Sequence, residues 1–122
     1  MTLLSIRHIS GSRATQIDEV HLGGHRELVL GRAPSAAVRF DPREDRSVGR
    51  HHARISWTDT EPISFTIADL KSRNGTYVHG TLITTPMQLH AGDIVQLGAF
   101  GPEIEVRWQS RTSETTTLRF LI

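Results

Sequence analysis

The 122-residue chain has no cysteine, which removes disulfide frameworks, thiolate metal sites and thiol nucleophiles together. It has a single lysine, Lys71, against thirteen arginines, and Tyr77 is its only tyrosine. Nowhere do apolar residues run long enough to span a bilayer as a helix, and the opening Met1-Thr2-Leu3-Leu4-Ser5-Ile6-Arg7 lacks the apolar stretch of a signal peptide. The expectation is a soluble protein in a reducing, cytoplasmic compartment. A net charge of only +1 argues against a nucleic-acid platform built on bulk electrostatics.

What is present is a globular mix, 37% hydrophobic and 22% charged, at a length suited to one domain with its own core. The excess of arginine over lysine has two readings. It follows from a GC-rich genome, or from a need for planar, two-pronged contacts to an anion.

Gly and Pro interrupt the chain so often that few windows admit a helix. The free stretches mostly show a period of two. Ala53, Ile55 and Trp57 alternate with Arg54, Ser56 and Thr58, and Ile104, Val106 and Trp108 alternate with Glu103, Glu105 and Arg107. Phe65 and Ile67 repeat the pattern, as do Leu118, Phe120 and Ile122. Alternation puts one face on a core and one in water. Only Ser12–Leu22 is ambiguous, because Ala14, Ile17 and Val20 lie three apart, so it reads as a helical turn or a loop. Turn chemistry at Gly23-Gly24, Pro34-Ser35, Asn74-Gly75, His79-Gly80, Ala91-Gly92-Asp93 and Gly101-Pro102 separates the rest. The prediction is one all-β domain, an antiparallel β-sandwich of two twisted sheets with about 10–12 short strands and little or no helix.

Loops on such a scaffold are the usual seat of function. Two regions stand out, Leu28-Val29-Leu30-Gly31-Arg32 continuing to Arg50-His51-His52-Ala53-Arg54-Ile55, and Asp69 through Gly80. In this order, with Ala91-Gly92-Asp93-Ile94-Val95-Gln96-Leu97-Gly98 downstream, they resemble the forkhead-associated (FHA) domain over about Glu27–Trp108. Residues 1–24 and 109–122 fall outside the resemblance and are expected to add edge strands. The Leu118–Ile122 end reads as strand, which suits one module of a longer protein.

The resemblance implies a phosphothreonine-dependent interaction module, not an enzyme, with its site on loops at one end of the sandwich. Its expected partner is a phosphothreonine-containing protein or peptide, such as a Ser/Thr kinase or a kinase substrate, with no nucleic acid, membrane or cofactor involved. Arg32 would hold the phosphate, with Arg50 and Arg73 beside it, and Asn74 would bond the peptide main chain. Gly31, His52, Ser72 and Gly75 would support the loops. The chemistry agrees, because guanidinium matches a phosphate that carries about −1.5 to −2 charges and three strong acceptors.

Other readings compete. Arg32 could pair with Glu44 or Asp45 on the surface. His51 and His52, being adjacent, point to opposite faces and do not chelate one ion, and no zinc spacing appears. Ser47, His52 and Asp69 make a catalytic trio only on paper, without a nucleophile elbow. The aromatic residues Phe40, Trp57, Phe65, Trp108 and Phe120 read as core, and Tyr77 as packing under its loop. The family's phosphate-contacting serine, three residues before His52, is Gly49 here. Gly49 could still offer a backbone N–H, through an anion-binding nest at positive φ, or Ser47 could substitute. The alternative is a scaffold that binds its partner without phosphate.

Overall fold

The structure, a computed structural model, describes residues 2–60 and 62–110. The alternation predicted at Leu118, Phe120 and Ile122, and the edge strand expected past Ser110, lie outside them. The strands are β1 (Thr2–His8), β2 (Ile17–His21), β3 (Glu27–Gly31), β4 (Val38–Arg39), β5 (Ala53–Trp57), β6 (Phe65–Asp69), β7 (Thr76–Val78), β8 (Thr81–Leu82), β9 (Met87–Gln88), β10 (Asp93–Leu97) and β11 (Glu103–Ser110). They form two stacked sheets ordered β2-β1-β11-β10-β7-β8 and β4-β3-β5-β6-β9. Among the described residues no helix is long and apolar enough to cross a membrane.

The alternation writes the core. Leu4, Ile6, Val95, Leu97, Ile104 and Val106 of the first sheet are buried, as are Leu28, Leu30, Ile55, Phe65 and Ile67 of the second. Trp57, Phe65 and Trp108 stack in series, with centroids 5.8 Å and 4.3 Å apart. Phe40 sits edge-on to the buried His8 at 5.4 Å.

Two elements depart from the sequence reading. The ambiguous Ser12–Leu22 stretch contains β2, an edge strand pairing only with β1. Its residues alternate between exposed and half-buried, Ile17 being 55% exposed, so no apolar face marks it in the sequence. The predicted antiparallel pattern also has one exception. The loop 32–37 returns the chain alongside its own start, so β4 pairs parallel to β3 at Leu30↔Val38 and Gly31↔Arg39.

Register gathers the loops. Leu30 faces Ala53, which faces Asp69, so loops 32–37, 40–52 and 70–75 leave one end of the second sheet. In the first sheet Leu97 faces Thr76, Gln96 faces Glu103 and Ile104 faces His8. Loops 98–102 and 9–16 therefore emerge at strand ends that carry no further pairing, and side-chain contacts join them to loop 40–52.

Candidate functional site

The site begins at Gly31. A Cβ there would stand 2.0 Å from the Arg50 carbonyl oxygen, so only glycine lets loop 40–52 come this close. The approach is fixed by Arg32 N–H to the Gly49 carbonyl at 3.0 Å, Ala33 N–H to the Arg50 carbonyl at 3.0 Å and His52 N–H to the Leu30 carbonyl at 2.8 Å. The half-buried Arg32 then points its guanidinium along the loop. Its Nε donates to the Val48 carbonyl and its Nη1 to the Pro42 carbonyl at 3.2 Å. Guanidinium has five N–H donors, so most of the fork is left to meet an acceptor.

The surface pairing weighed for Arg32 is not found. Asp45 is buried, accepting from Ser12 N–H at 3.1 Å, Ser12 Oγ at 2.5 Å and Asp41 N–H at 3.0 Å. Asp41 spends one carboxylate oxygen on Arg43 N–H at 2.7 Å and Glu44 N–H at 2.9 Å, and these bonds hold its carboxyl below the usual range. Among the described residues Arg32, Arg50 and Arg73 have no carboxylate within ion-pair distance. Arg50 and Arg73 are exposed.

His52 is the clasp between loop 40–52 and loop 70–75. Gly49 N–H can only donate, so Nδ1 accepts from it at 2.9 Å, and Nε2–H therefore donates to the Gly75 carbonyl at 2.8 Å. The ring is fully buried and neutral. Burial lowers its pKa below the ordinary 6.5, against the opposing pull of the Gly75 carbonyl and the Asp69 charge. His51, the preceding residue, is exposed.

Asp69 organises loop 70–75. It accepts from Ser72 N–H at 3.0 Å, Ser72 Oγ at 2.5 Å and Thr76 Oγ1 at 2.7 Å, while Ser72 Oγ accepts from Gly75 N–H at 2.9 Å. Burial raises the Asp69 pKa, but those hydrogen bonds outweigh it and the net shift is downward. Lys71 and Gly75 take positive φ, 57° and 84°, and close the turn. Asn74 Nδ2 reaches across to the Ser47 carbonyl at 3.0 Å, so Asn74 links the loops as well as sitting on the rim.

Two expectations, for Gly49 and Ser47, meet a different geometry. Gly49 N–H is taken by His52 Nδ1, and Gly49 does not adopt positive φ, so it builds no nest. Ser47 Oγ donates to the Leu97 carbonyl at 2.9 Å, which commits its one hydroxyl proton to β10. His79, where the family pattern has Asn, adopts φ 50° and ties its ring to Asp93 at 2.7 Å, away from the site. Sequence reasoning also missed Asp45, Ser12 and the buried Val48, which anchor loop 40–52. Asp41-Pro42, a turn-forming pair ahead of Asp45, was the available signal.

The FHA domain family model matches residues 28–98. An uncharacterized protein of Schizosaccharomyces pombe is 39% identical over 57 residues, covering 42% of this chain and 19% of that protein. The chain thus spans a small part of the curated relative it matches. A structure solved in work on phosphothreonine-dependent FHA domain interactions is 28% identical, with a TM-score of 0.69 over 88% of this chain and 98% of that one. The FhaA FHA domain, solved in complex with the intracellular domain of a second protein, is 27% identical, with a TM-score of 0.67 over 85% and 99% of the two chains. An FHA domain of Arabidopsis thaliana shares the fold at 23% identity and TM-score 0.75, over 90% and 88%. With its matched segment carrying the Arg32 loop, the His52 clasp and the Asp69 turn, the chain belongs to the FHA domain family.

Proposed function

We propose that this chain is a phosphothreonine-dependent interaction module. Arg32, Arg50 and Arg73 receive the phosphate, and Asn74 bonds the main chain of the bound peptide. The observation that carries this reading is the set of three guanidiniums on adjoining loops with no carboxylate partner among the described residues. Charge-assisted hydrogen bonds contribute roughly 1.5–3 kcal/mol each. Two or three support a reversible affinity suited to signalling. Gly31, His52, Ser72 and Gly75 hold the loops and touch no ligand. The partner is a phosphothreonine-containing protein of the cytoplasm, a Ser/Thr kinase or one of its substrates, and the domain itself performs no catalysis.

A second reading has its own support. With Gly49 lacking a hydroxyl, Gly49 N–H spent on His52 and Ser47 Oγ spent on Leu97, the anion shell is thin. A phosphate-independent scaffold using the same rim is the alternative. Titration with a degenerate phosphothreonine peptide library and its unphosphorylated twin separates the two. Binding confined to the phosphorylated library supports the first reading, and equal binding of both supports the second.

A further inference from the structure

Asn74 is the only asparagine of the chain, and Gly75 follows it. Asparagine is thermally labile, because the backbone nitrogen of the next residue can attack its side-chain amide, and glycine there offers no side chain to hinder the attack. The turn holds Gly75 at φ 84°, a conformation that side chains rarely adopt, so the fold keeps the glycine. Asn74 itself is exposed, within reach of water. A labile pair is therefore built into the rim beside Arg73.

Loss of the amide needs the Gly75 amide proton removed and the freed nitrogen brought to Asn74 Cγ. Both needs meet a restraint in the folded loop. Gly75 N–H donates to Ser72 Oγ at 2.9 Å, and Ser72 Oγ donates its own proton to Asp69 Oδ1 at 2.5 Å. This hydroxyl, with the Asp69 carboxylate behind it, stabilises the N–H and opposes the anion that has to form there. Asn74 Nδ2, the nitrogen that leaves, donates to the Ser47 carbonyl at 3.0 Å, which tethers the side chain to loop 40–52.

From this we infer that Asn74 is a modification site, whose amide is lost to water and replaced by a carboxylate that closes the phosphate site, and that Ser72 restrains the loss. The closure rests on the phosphothreonine reading above; the loss does not. A solvent base takes the Gly75 amide proton, the nitrogen lone pair forms a bond to Asn74 Cγ, and the Cγ–Nδ2 bond breaks, Nδ2 leaving as ammonia. Water then opens the cyclic imide, at Cγ to leave an aspartate or at the Asn74 main-chain carbonyl to leave an isoaspartate. Either product removes the Nδ2 donor and puts a negative charge on the rim of Arg32, Arg50 and Arg73, where it repels an incoming phosphate. Isoaspartate also adds a methylene to the main chain ahead of Gly75, whose carbonyl accepts from His52 Nε2 and from Gly98 N–H, each at 2.8 Å.

The test ages the whole domain in mildly alkaline buffer, folded and in urea, and follows the amide-to-acid mass change of the peptide that carries Asn74. The folded domain is expected to react more slowly than the chain in urea. Folded Ser72→Ala is expected to react about fivefold faster than the folded wild type, the factor one lost hydrogen bond gives a rate. Ser72→Thr, which keeps the hydroxyl, is expected to return the slow rate. Aged protein, separated from unreacted protein by ion exchange, is expected to bind a phosphothreonine peptide about tenfold more weakly or worse, and Asn74→Asp to match it. Equal rates folded and in urea, or in Ser72→Ala and wild type, overturn the inference, as does a Ser72→Thr that reacts as fast as Ser72→Ala. Where Ser72→Ala does not fold, the wild-type Gly75 amide decides: protection from hydrogen exchange supports the restraint, and exchange at the rate of an unstructured amide overturns it. Aged protein that binds as tightly as fresh protein overturns the closure. A fresh wild type that binds no phosphothreonine peptide overturns the phosphothreonine reading, and the mass change still decides the role of Ser72.

Discussion

The arginines of this domain fall into two populations. Outside loops 32–52 and 70–75 the described arginines are paired: Arg7 and Arg107 with Glu105, Arg13 with Asp18, Arg26 with Asp59, and Arg54 with Glu27 at the longer distance of 4.0 Å. On loops 32–52 and 70–75, no described arginine has a carboxylate partner, although Asp41, Glu44 and Asp45 share the same loop. The difference lies in where the acids are spent. Asp41 and Asp45 turn onto backbone N–H groups and Ser12, so they shape the loop without neutralising it. An exposed ion pair contributes about 0–1 kcal/mol, so withholding partners from Arg32, Arg50 and Arg73 costs little stability and leaves their charge uncompensated within the domain.

The same contrast separates the two ends in how they are held. Away from the site the stack of Trp57, Phe65 and Trp108 does the work, with Trp57 Nε1 donating to the His25 carbonyl at 2.9 Å. At the site end the links are polar, and His52 is the central one. The largest effect is expected there. His52→Ala removes a buried ring and leaves Gly49 N–H unpaired, so it is expected to destabilise the domain by about 3 kcal/mol, measured by chemical denaturation. It also frees both recognition loops, so phosphopeptide affinity falls in the same variant. Trp57→Ala is expected to cost comparable stability without that loss in the fraction that stays folded, and a matching loss in both would erase the contrast.

Arg32→Ala comes next. It is expected to weaken phosphopeptide binding about 100-fold, the equivalent of about 2.7 kcal/mol for one charge-assisted site, with the melting temperature held. Arg26→Ala, at the opposite end, is expected to leave affinity unchanged in the same calorimeter. Equal effects from the two would show that the unpaired population has no special role.

Much of this was legible in the sequence, and the boundary is physical. Half-buried strands announce themselves because burial on one face forces alternation, as in Ala53, Ile55 and Trp57. The edge strand β2 turns only Val20, beside the polar Asp18, toward the core and leaves Ile17 exposed, so Ile17–His21 carried no such mark. Gly31 was readable as a motif residue, and its reason, the Arg50 carbonyl against its missing side chain, is purely spatial. The partners of Gly49 N–H and Ser47 Oγ were not legible because a donor's partner depends on which acceptor the fold brings nearest. His52 and Leu97 arrive from other strands and claim them.

Acidity sharpens the comparison further. Burial lowers the pKa of His52, and of His8 despite the hydrogen bond to Asp18. The folded domain therefore binds fewer protons than the unfolded chain in the window below the ordinary 6.5. Stability contributed by these rings is full above 6.5 and declines as pH falls toward their depressed folded values. Protonated Nδ1 of His52 no longer accepts from Gly49, so acid loosens the site clasp. Unfolding midpoints of the ligand-free domain are expected to fall between pH 7 and 5, and His52→Gln should flatten part of that fall. The phosphate's own pKa near 6 weakens binding over the same range, so the ligand-free measurement is the one that isolates the rings. A midpoint constant over the window would remove His52 as a titrating link.

The smallest expected effect concerns Gly49. Because its φ lies outside the left-handed region, and a Cβ there would meet His52 only at ordinary contact distances of 3.7 Å and beyond, the position tolerates a side chain. Gly49→Ser places a hydroxyl where the family pattern has one, without disturbing the N–H that Nδ1 accepts. One added hydrogen bond near 1.4 kcal/mol tightens phosphopeptide binding by about tenfold at most. Calorimetry on a single phosphothreonine peptide and its unphosphorylated form measures the gain. Tightening confined to the phosphorylated peptide identifies the thin anion shell as a matter of one missing hydroxyl. No change, with the fold intact, places the phosphate away from Gly49 and shifts its contacts to the unpaired guanidiniums alone.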